Sequence, residues 1–211
     1  MNKSIFFLLL VLILIITRFF LFKIQEHFTN NYTIILMGDS ILENSNYVPE
    51  GKSVADLLQT KTNKLFNYAK DGATISDLYA QLDKIPIEFN DSNTNIFVSA
   101  GGNDILTKQH VNVDTLFNNY NSFLNALKAK LGYAKLNLLN LYLPSNPRYK
   151  SYASIVDKWN HLIDRNSSKL GATYNVVSLD TLLTSPNDFV YDIEPSETAS
   201  VKISDAIYLT R

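Results

Sequence analysis

Five short apolar runs alternate with stretches of helical spacing along most of this chain, and this alternation restricts the possible folds more than any other feature. The predicted strands are at residues 32–37, 64–68, 95–100, 136–143 and 174–179, and the predicted helices at 54–60, 75–84, 113–130, 149–170 and 199–209. The first strand, YTIILM, is apolar throughout, which is typical of a strand buried on both faces of a parallel sheet. Strands that alternate with helices are joined by right-handed crossovers. The sequence therefore predicts a three-layer αβα sandwich around a five-stranded parallel sheet.

A longer apolar run, at residues 5–22, precedes the first strand and is interrupted only by Thr17 and Arg18. At about 1.5 Å per residue, a helix of this length nearly crosses a hydrocarbon core of ~30 Å. Lys3 gives the run the positive start of a signal sequence, but no cleavage site of the small-x-small type follows it. An uncleaved signal-anchor is therefore favoured over a signal peptide that is removed.

This interpretation divides the chain into three parts: a single-pass transmembrane anchor at 1–24, a linker at 25–31 and one domain at 32–211. Positive residues flank the apolar run on both sides, so the positive-inside rule gives only a weak orientation. We expect the domain on the lumenal or extracellular side of a membrane.

The composition excludes several classes of function. The net charge is −1 and the basic residues are scattered, so no surface for nucleic acid is expected. There is no cysteine, which excludes disulfides, thiolate metal sites and cysteine nucleophiles. No histidines and carboxylates have the spacing of metal ligands, so no metal is predicted.

Polar residues follow three of the predicted strands where each strand ends. Gly38-Asp39-Ser40 follows the first strand, a loop containing Gly72 follows the second, and Asn103 follows the third. In an open parallel sheet these ends share one rim, where ligands bind. The Ser40 and Gly72 N–H groups and the Asn103 amide are three donors that could form an oxyanion hole, in which one donor contributes about 10²–10³ in rate. Each motif alone is weak, and a turn serine is more often a helix cap, so the prediction depends on their combination.

With these motifs in their order, GDSILENSNYVP, NYAKDGATISDL and VSAGGNDIL, residues 32–209 resemble the SGNH (GDSL-like) hydrolase family. The resemblance implies a serine hydrolase that cleaves esters of lipids, acylated sugars or other small acyl compounds without a cofactor. It also implies Ser40 as the nucleophile and Ser40, Gly72 and Asn103 as the oxyanion donors.

The chain departs from that family in its last motif. The family has Asp-x-x-His before the final helix, whereas this chain reads FVYDIEPS at 189–196, with Glu194 in the position of the histidine. The stretch resembles a branch of the family that ends in Ile-Glu-Pro-Ser. A carboxylate can act as the base for a serine if burial or a second carboxylate raises its pKa. We therefore predict Ser40 and Glu194 as the catalytic residues, with Asp192 as the carboxylate that shares a proton with Glu194.

Other interpretations stay open at the level of sequence. His110 is the histidine nearest the predicted rim, while His27 lies in the linker and His161 in a helix. Without a histidine base, the chain could also be an inactive module that binds carbohydrate or a protein partner, or a structural membrane protein. The substrate is not specified, although Tyr47, Tyr149 and Tyr152 are candidates for the pocket wall.

Overall fold

The computed structural model describes residues 12–18, 32–107, 111–170 and 174–210. The chain divides into two units, Met1–Tyr32 and Thr33–Arg211. In the first unit, residues 12–18 are helical, and the rest of the predicted anchor and linker lies outside the described residues. Within the part of the chain that is described, no helix is long and apolar enough to span a membrane.

The second unit contains a five-stranded sheet with the order β2-β1-β3-β4-β5, in which every pairing is parallel. The strands are β1 (Thr33–Met37), β2 (Leu65–Asn67), β3 (Thr94–Val98), β4 (Lys135–Leu139) and β5 (Tyr174–Val177). The predicted α/β fold with a five-stranded parallel sheet is therefore confirmed.

Seven α-helices are described in this unit. They are α1 (Val54–Gln59), α2 (Asp77–Lys84), α3 (Gly102–Thr107), α4 (Val113–Leu131), α5 (Ala153–Leu170), α6 (Leu179–Leu182) and α7 (Glu197–Thr210). A short antiparallel pair, β6 (Phe189–Val190) and β7 (Glu194–Pro195), precedes α7. The sequence pattern did not predict α3, α6 or this pair, because they are too short to establish a period.

The direction of the crossovers explains where the helices lie. The chain moves one way from β1 to β2 and the opposite way from β2 through β3 and β4 to β5. Because parallel crossovers are right-handed, this reversal places α1 on one face and α2, α4 and α5 on the other. The contacts agree, since α1 packs on α7 while α4 packs on both α2 and α5. With both faces covered, the three central strands β1, β3 and β4 are almost entirely buried, and Ile34, Ile35 and Phe97 have no exposed surface.

The same reversal creates a switch point between β1 and β3. At a switch point the loops after two neighbouring strands diverge to opposite faces and leave a crevice at the carboxyl ends of the strands. Ser40 follows β1 and Asn103 follows β3, so the candidate residues lie on both sides of this crevice.

Candidate active site

Ser40 lies in a tight turn directly after β1, and Gly38 makes that turn possible. Gly38 has a φ of +135°, and a Cβ atom at this position would overlap Ser99. The side chain of Gln81 holds the Gly38 peptide groups at both ends, because its Oε1 accepts from the Gly38 N–H at 2.8 Å and its Nε2 donates to the Gly38 carbonyl at 2.9 Å. Ser40 is thus fixed at the rim with 8% of its surface exposed.

Asp39 stabilises the same turn through hydrogen bonds to its side chain. Its Oδ1 accepts hydrogen bonds from Ser99 Oγ at 2.7 Å and from the Ile41 N–H at 3.2 Å. Burial raises the pKa of the Asp39 carboxyl, while these hydrogen bonds lower it. Asp39 therefore orders the loop that carries Ser40 and places an acidic group beside this serine.

Glu194 lies on β7 and lines the same cavity as Ser40. Burial is the largest influence on its carboxylate and raises its pKa, the hydrogen bond from the Ser40 side chain lowers it, and the nearby charges of Asp71 and Asp39 raise it further. A carboxylate with a raised pKa is a stronger proton acceptor than an exposed one. A serine and a carboxyl of raised pKa therefore line one cavity, which is the arrangement that a nucleophile and a general base require.

Asp192 does not have the surroundings predicted for it. Its carboxylate is about half exposed and forms an ion pair with Arg148 at 3.2 Å, in a turn where Tyr191 and Asp192 both have positive φ values. The carboxylates that act on Glu194 are those of Asp71 and Asp39. Asp71 was not predicted from the sequence, although it directly precedes Gly72 in the second loop.

Two of the three predicted oxyanion donors, Gly72 and Asn103, belong to loops that are tied together. Asn103, in the first turn of α3, donates one amide hydrogen from Nδ2 to the Ala73 carbonyl at 3.0 Å, and an amide carries a second hydrogen that remains for a ligand. The Asp104 carboxylate accepts from the Ile75 N–H at 3.0 Å, which joins the same two loops. Asn103 and Ser40 line one cavity. Gly72 lies in the adjacent loop with a φ of +73° and open space around it.

That cavity encloses about 70 Å³ and begins at Ser40, Asn103 and Glu194. Its remaining wall is mainly apolar and is formed by Ile105, Leu106, Leu141, Leu143, Tyr149, Tyr152 and Val156, among others. Two of the three tyrosines predicted for the pocket, Tyr149 and Tyr152, therefore line it. Tyr47 instead donates to Asp71 Oδ2 at 2.7 Å and packs edge-on against Tyr191.

The histidines do not supply an alternative base within the described residues. His161 is exposed on α5. His110 and His27 lie outside the residues that the structure describes. In the described part of the chain, no group of histidine and carboxylate side chains is arranged to hold a metal ion.

Residues 36–199 match the model of the GDSL-like Lipase/Acylhydrolase family. No curated protein matches the chain. Among solved structures, a member of the lipolytic protein G-D-S-L family from Veillonella parvula superposes with a TM-score of 0.68 at 18% identity, covering 83% of this chain and 95% of that chain. The psychrotrophic esterase EstA from Pseudoalteromonas sp., in a structure inhibited by monoethylphosphonate, superposes with a TM-score of 0.61 at 21% identity, covering 85% and 95%. At these identities the structures establish a common fold.

Proposed function

Because this chain belongs to the GDSL-like lipase/acylhydrolase family, we propose that it is a serine ester hydrolase in which Ser40 is the nucleophile and Glu194 is the general base. The observation that carries the proposal is that Ser40, Glu194 and Asn103 line one cavity, with the Ser40 side chain close enough to Glu194 to lower the pKa of its carboxyl. A pocket that only bound a ligand would not require a serine hydroxyl paired with a base beside free amide donors.

In this mechanism Glu194 accepts the Ser40 proton while the serine oxygen attacks the ester carbonyl carbon. The Ser40 and Gly72 N–H groups and the Asn103 amide stabilise the negative charge that develops on the carbonyl oxygen. Glu194 then donates its proton to the departing alkoxide, which leaves an acyl group on Ser40. A water molecule, deprotonated by Glu194, attacks the acyl-enzyme and releases the acid, and the proton returns to Ser40.

The cavity supports an ester with a small apolar acyl group. Leu141, Leu143 and Val156 line it, and apolar walls favour hydrocarbon over hydroxylated groups. The acyl group would lie in this cavity, and the alcohol of a lipid or sugar would face the rim near Asp71 and Tyr47. The pocket therefore favours an esterase with an acyl group of several carbons over a strict deacetylase.

We also propose that the domain is tethered to a membrane by residues 1–24 and faces the lumenal or extracellular side. The support is the apolar run at 5–22 in the sequence, which is long enough for a short span. An ester hydrolase held in this way would act on substrates close to a membrane surface.

The test is hydrolysis of 4-nitrophenyl esters between pH 4 and pH 9 by the parent protein and by Ser40→Ala and Glu194→Gln. We expect each variant to lose about 10²–10⁴ in kcat, since each removes a group that acts in the transition state. The parent should stay active into mildly acidic solution, because its base is a carboxylate. If the parent is no faster than Ser40→Ala on acetyl, butyryl and octanoyl esters, the inactive binding module becomes the better interpretation.

A further inference from the structure

Asn44 is buried without any exposed surface four residues after Ser40, and both ends of its side chain are used. Its Oδ1 accepts from the Val54 N–H at the start of α1 at 2.9 Å. Its Nδ2 donates to the Pro195 carbonyl at 3.2 Å and to Ser200 Oγ at 2.6 Å. A buried amide with all these partners is a fixed connection, because each unpaired group would cost about 1–3 kcal/mol.

The partners of Asn44 belong to the segment that carries Glu194. Pro195 is the residue directly after Glu194 in β7, and Ser200 lies in the first turns of α7. The Ser200 hydroxyl in turn donates to the Ser196 carbonyl at 3.0 Å. The Asn44 side chain, which belongs to the loop that carries Ser40, therefore holds the backbone directly after Glu194.

Glu194 depends on such support more than a residue in the main sheet would. It lies in a pair of two-residue strands whose connecting turn contains two residues with positive φ, Tyr191 and Asp192. A glutamate side chain also has three rotatable bonds, so its carboxylate is placed by its backbone together with its packing. A displacement of about 1 Å in a catalytic group can cost 10²-fold in rate.

We infer that Asn44 is a positioning residue that holds the Pro195 backbone, and with it the Glu194 carboxylate, within hydrogen-bond reach of Ser40. The inference rests on the proposed Ser40–Glu194 mechanism. Asn44 itself is not among the residues that line the cavity, so it acts on the reaction through Glu194.

The first test is the kinetics of Asn44→Ala, with rates normalised to the folded fraction. We expect kcat to fall about 10- to 100-fold while KM changes little, since the cavity wall is intact. The hydrogen bond from Ser40 lowers the pKa of Glu194. Weakening this bond should therefore raise that pKa and move the acid limb of the pH profile to higher pH. The other groups facing Glu194, which are Asp39, Asp71, Tyr47 and Tyr142, are unchanged in the variant.

Asn137→Ala is the matched control. Asn137 is also fully buried and hydrogen-bonded, to the Ile96 carbonyl and to Asn175, but it lies within β4 and away from the rim. We expect it to lower the melting temperature and to leave kcat per folded molecule and the acid limb unchanged. Ser200→Ala removes one partner of Asn44 and keeps the Pro195 contact. It should therefore move the acid limb of the pH profile to higher pH, as Asn44→Ala does, but by a smaller amount.

A second readout does not depend on turnover. The Glu194 carboxyl is titrated by NMR in protein labelled with ¹³C at glutamate, and the Glu194→Gln spectrum assigns the signal. An upward shift of this pKa in Asn44→Ala or Ser200→Ala supports the inference. If neither variant moves it and kcat follows only the folded fraction, the inference is wrong. Equal activity of the parent and Ser40→Ala would instead refute the proposed function, and the titration would still decide the role of Asn44.

Discussion

At the scale of single residues, the unusual feature is a glutamate that lines the same cavity as the candidate nucleophile. Glu194 is held partly buried beside Ser40, with Asp71 and Asp39 close enough to raise its pKa. An enzyme gains proton affinity from this arrangement and loses stability, because a charged group is kept out of water. The balance between the gain in proton affinity and the loss of stability can be measured.

We predict that Glu194→Gln is more stable than the parent at neutral pH. The pKa of Glu194 is raised in the folded state. Its favourable contribution to the free energy of unfolding is therefore present below the pKa of the unfolded state and is lost as the pH rises through the pKa of the folded state. Because solvent screens this partly exposed group, we expect a gain below ~1 kcal/mol, or about 2–4 °C at most in the melting temperature. The gain should vanish near pH 4.

Glu197→Gln is the control for this prediction. Glu197 is exposed and forms an ion pair with Lys52 at 3.0 Å, so its loss should lower stability slightly or not at all. If calorimetry at neutral pH gives Glu194→Gln a lower melting temperature than the parent, the Glu194 carboxylate does not destabilise the folded protein.

Asn103→Ala tests the oxyanion hole. We predict a loss of about 10²–10³ in kcat with little change in KM, since the amide acts on charge that appears only in the transition state. The variant also loses the hydrogen bond to Ala73, so rates are compared per folded molecule. A rate within a few-fold of the parent would remove Asn103 from the mechanism.

The sequence predicted which motifs supply the site and missed the residues that arrange it. Ser40, Asn103 and Glu194 are adjacent to recognisable motifs, and the structure brings all three to one cavity. Asn44 contacts a carbonyl 151 positions away, and no local pattern reveals such a pair. The predicted partner of Glu194 was Asp192, chosen for its proximity in sequence, whereas the turn directs its carboxylate to Arg148.

At the scale of secondary structure, the glycine after β3 determines how closely its loop approaches α5. Gly101 has a φ of +98°, and a Cβ atom there would lie 2.5 Å from the indole ring of Trp159, which is fully buried. We predict that Gly101→Ala loses about 2–5 kcal/mol in the free energy of unfolding, from backbone strain together with overpacking. Urea denaturation measures this loss.

Gly51→Ala separates the two causes. Gly51 has a φ of +77°, and a Cβ atom added there would meet no other atom within 4 Å, so only the strain of about 1–2 kcal/mol should appear. Equal losses in the two variants would show that contact with Trp159 is unimportant.

The strands and long helices were predictable because their apolar patterns extend over enough residues to be recognised, and the ends of these elements were less predictable. The fourth strand was predicted to extend to residue 143, but β4 ends at Leu139. Beyond that end, the backbone is hydrogen-bonded to the Asn160 side chain, whose Oδ1 accepts from the Leu141 N–H and whose Nδ2 donates to the Leu141 carbonyl. A side chain on α5 therefore redirects the chain toward the cavity, which the hydrophobic pattern could not indicate.

At the scale of the whole molecule, the crossover reversal places the cavity at the carboxyl ends of β1 and β3, and the proposed anchor would hold that cavity near a membrane. We predict that the full chain, expressed in cells, sediments with membranes and resists extraction with alkaline carbonate. A chain starting at residue 32 should remain in the supernatant. Release of the full chain by carbonate would contradict the anchor and leave the site unaffected.

Labelling with a 4-nitrophenyl phosphonate tests directly, without knowledge of the natural substrate, whether Ser40 is a nucleophile activated by Glu194. The serine oxygen attacks phosphorus, 4-nitrophenolate leaves and Glu194 takes the serine proton. We predict one phosphonyl group per chain on the peptide containing Ser40, no label in Ser40→Ala, and labelling slowed at least about 10²-fold in Glu194→Gln. If the parent takes up no label, or if Glu194→Gln reacts as fast as the parent, Ser40 is not a nucleophile activated by Glu194.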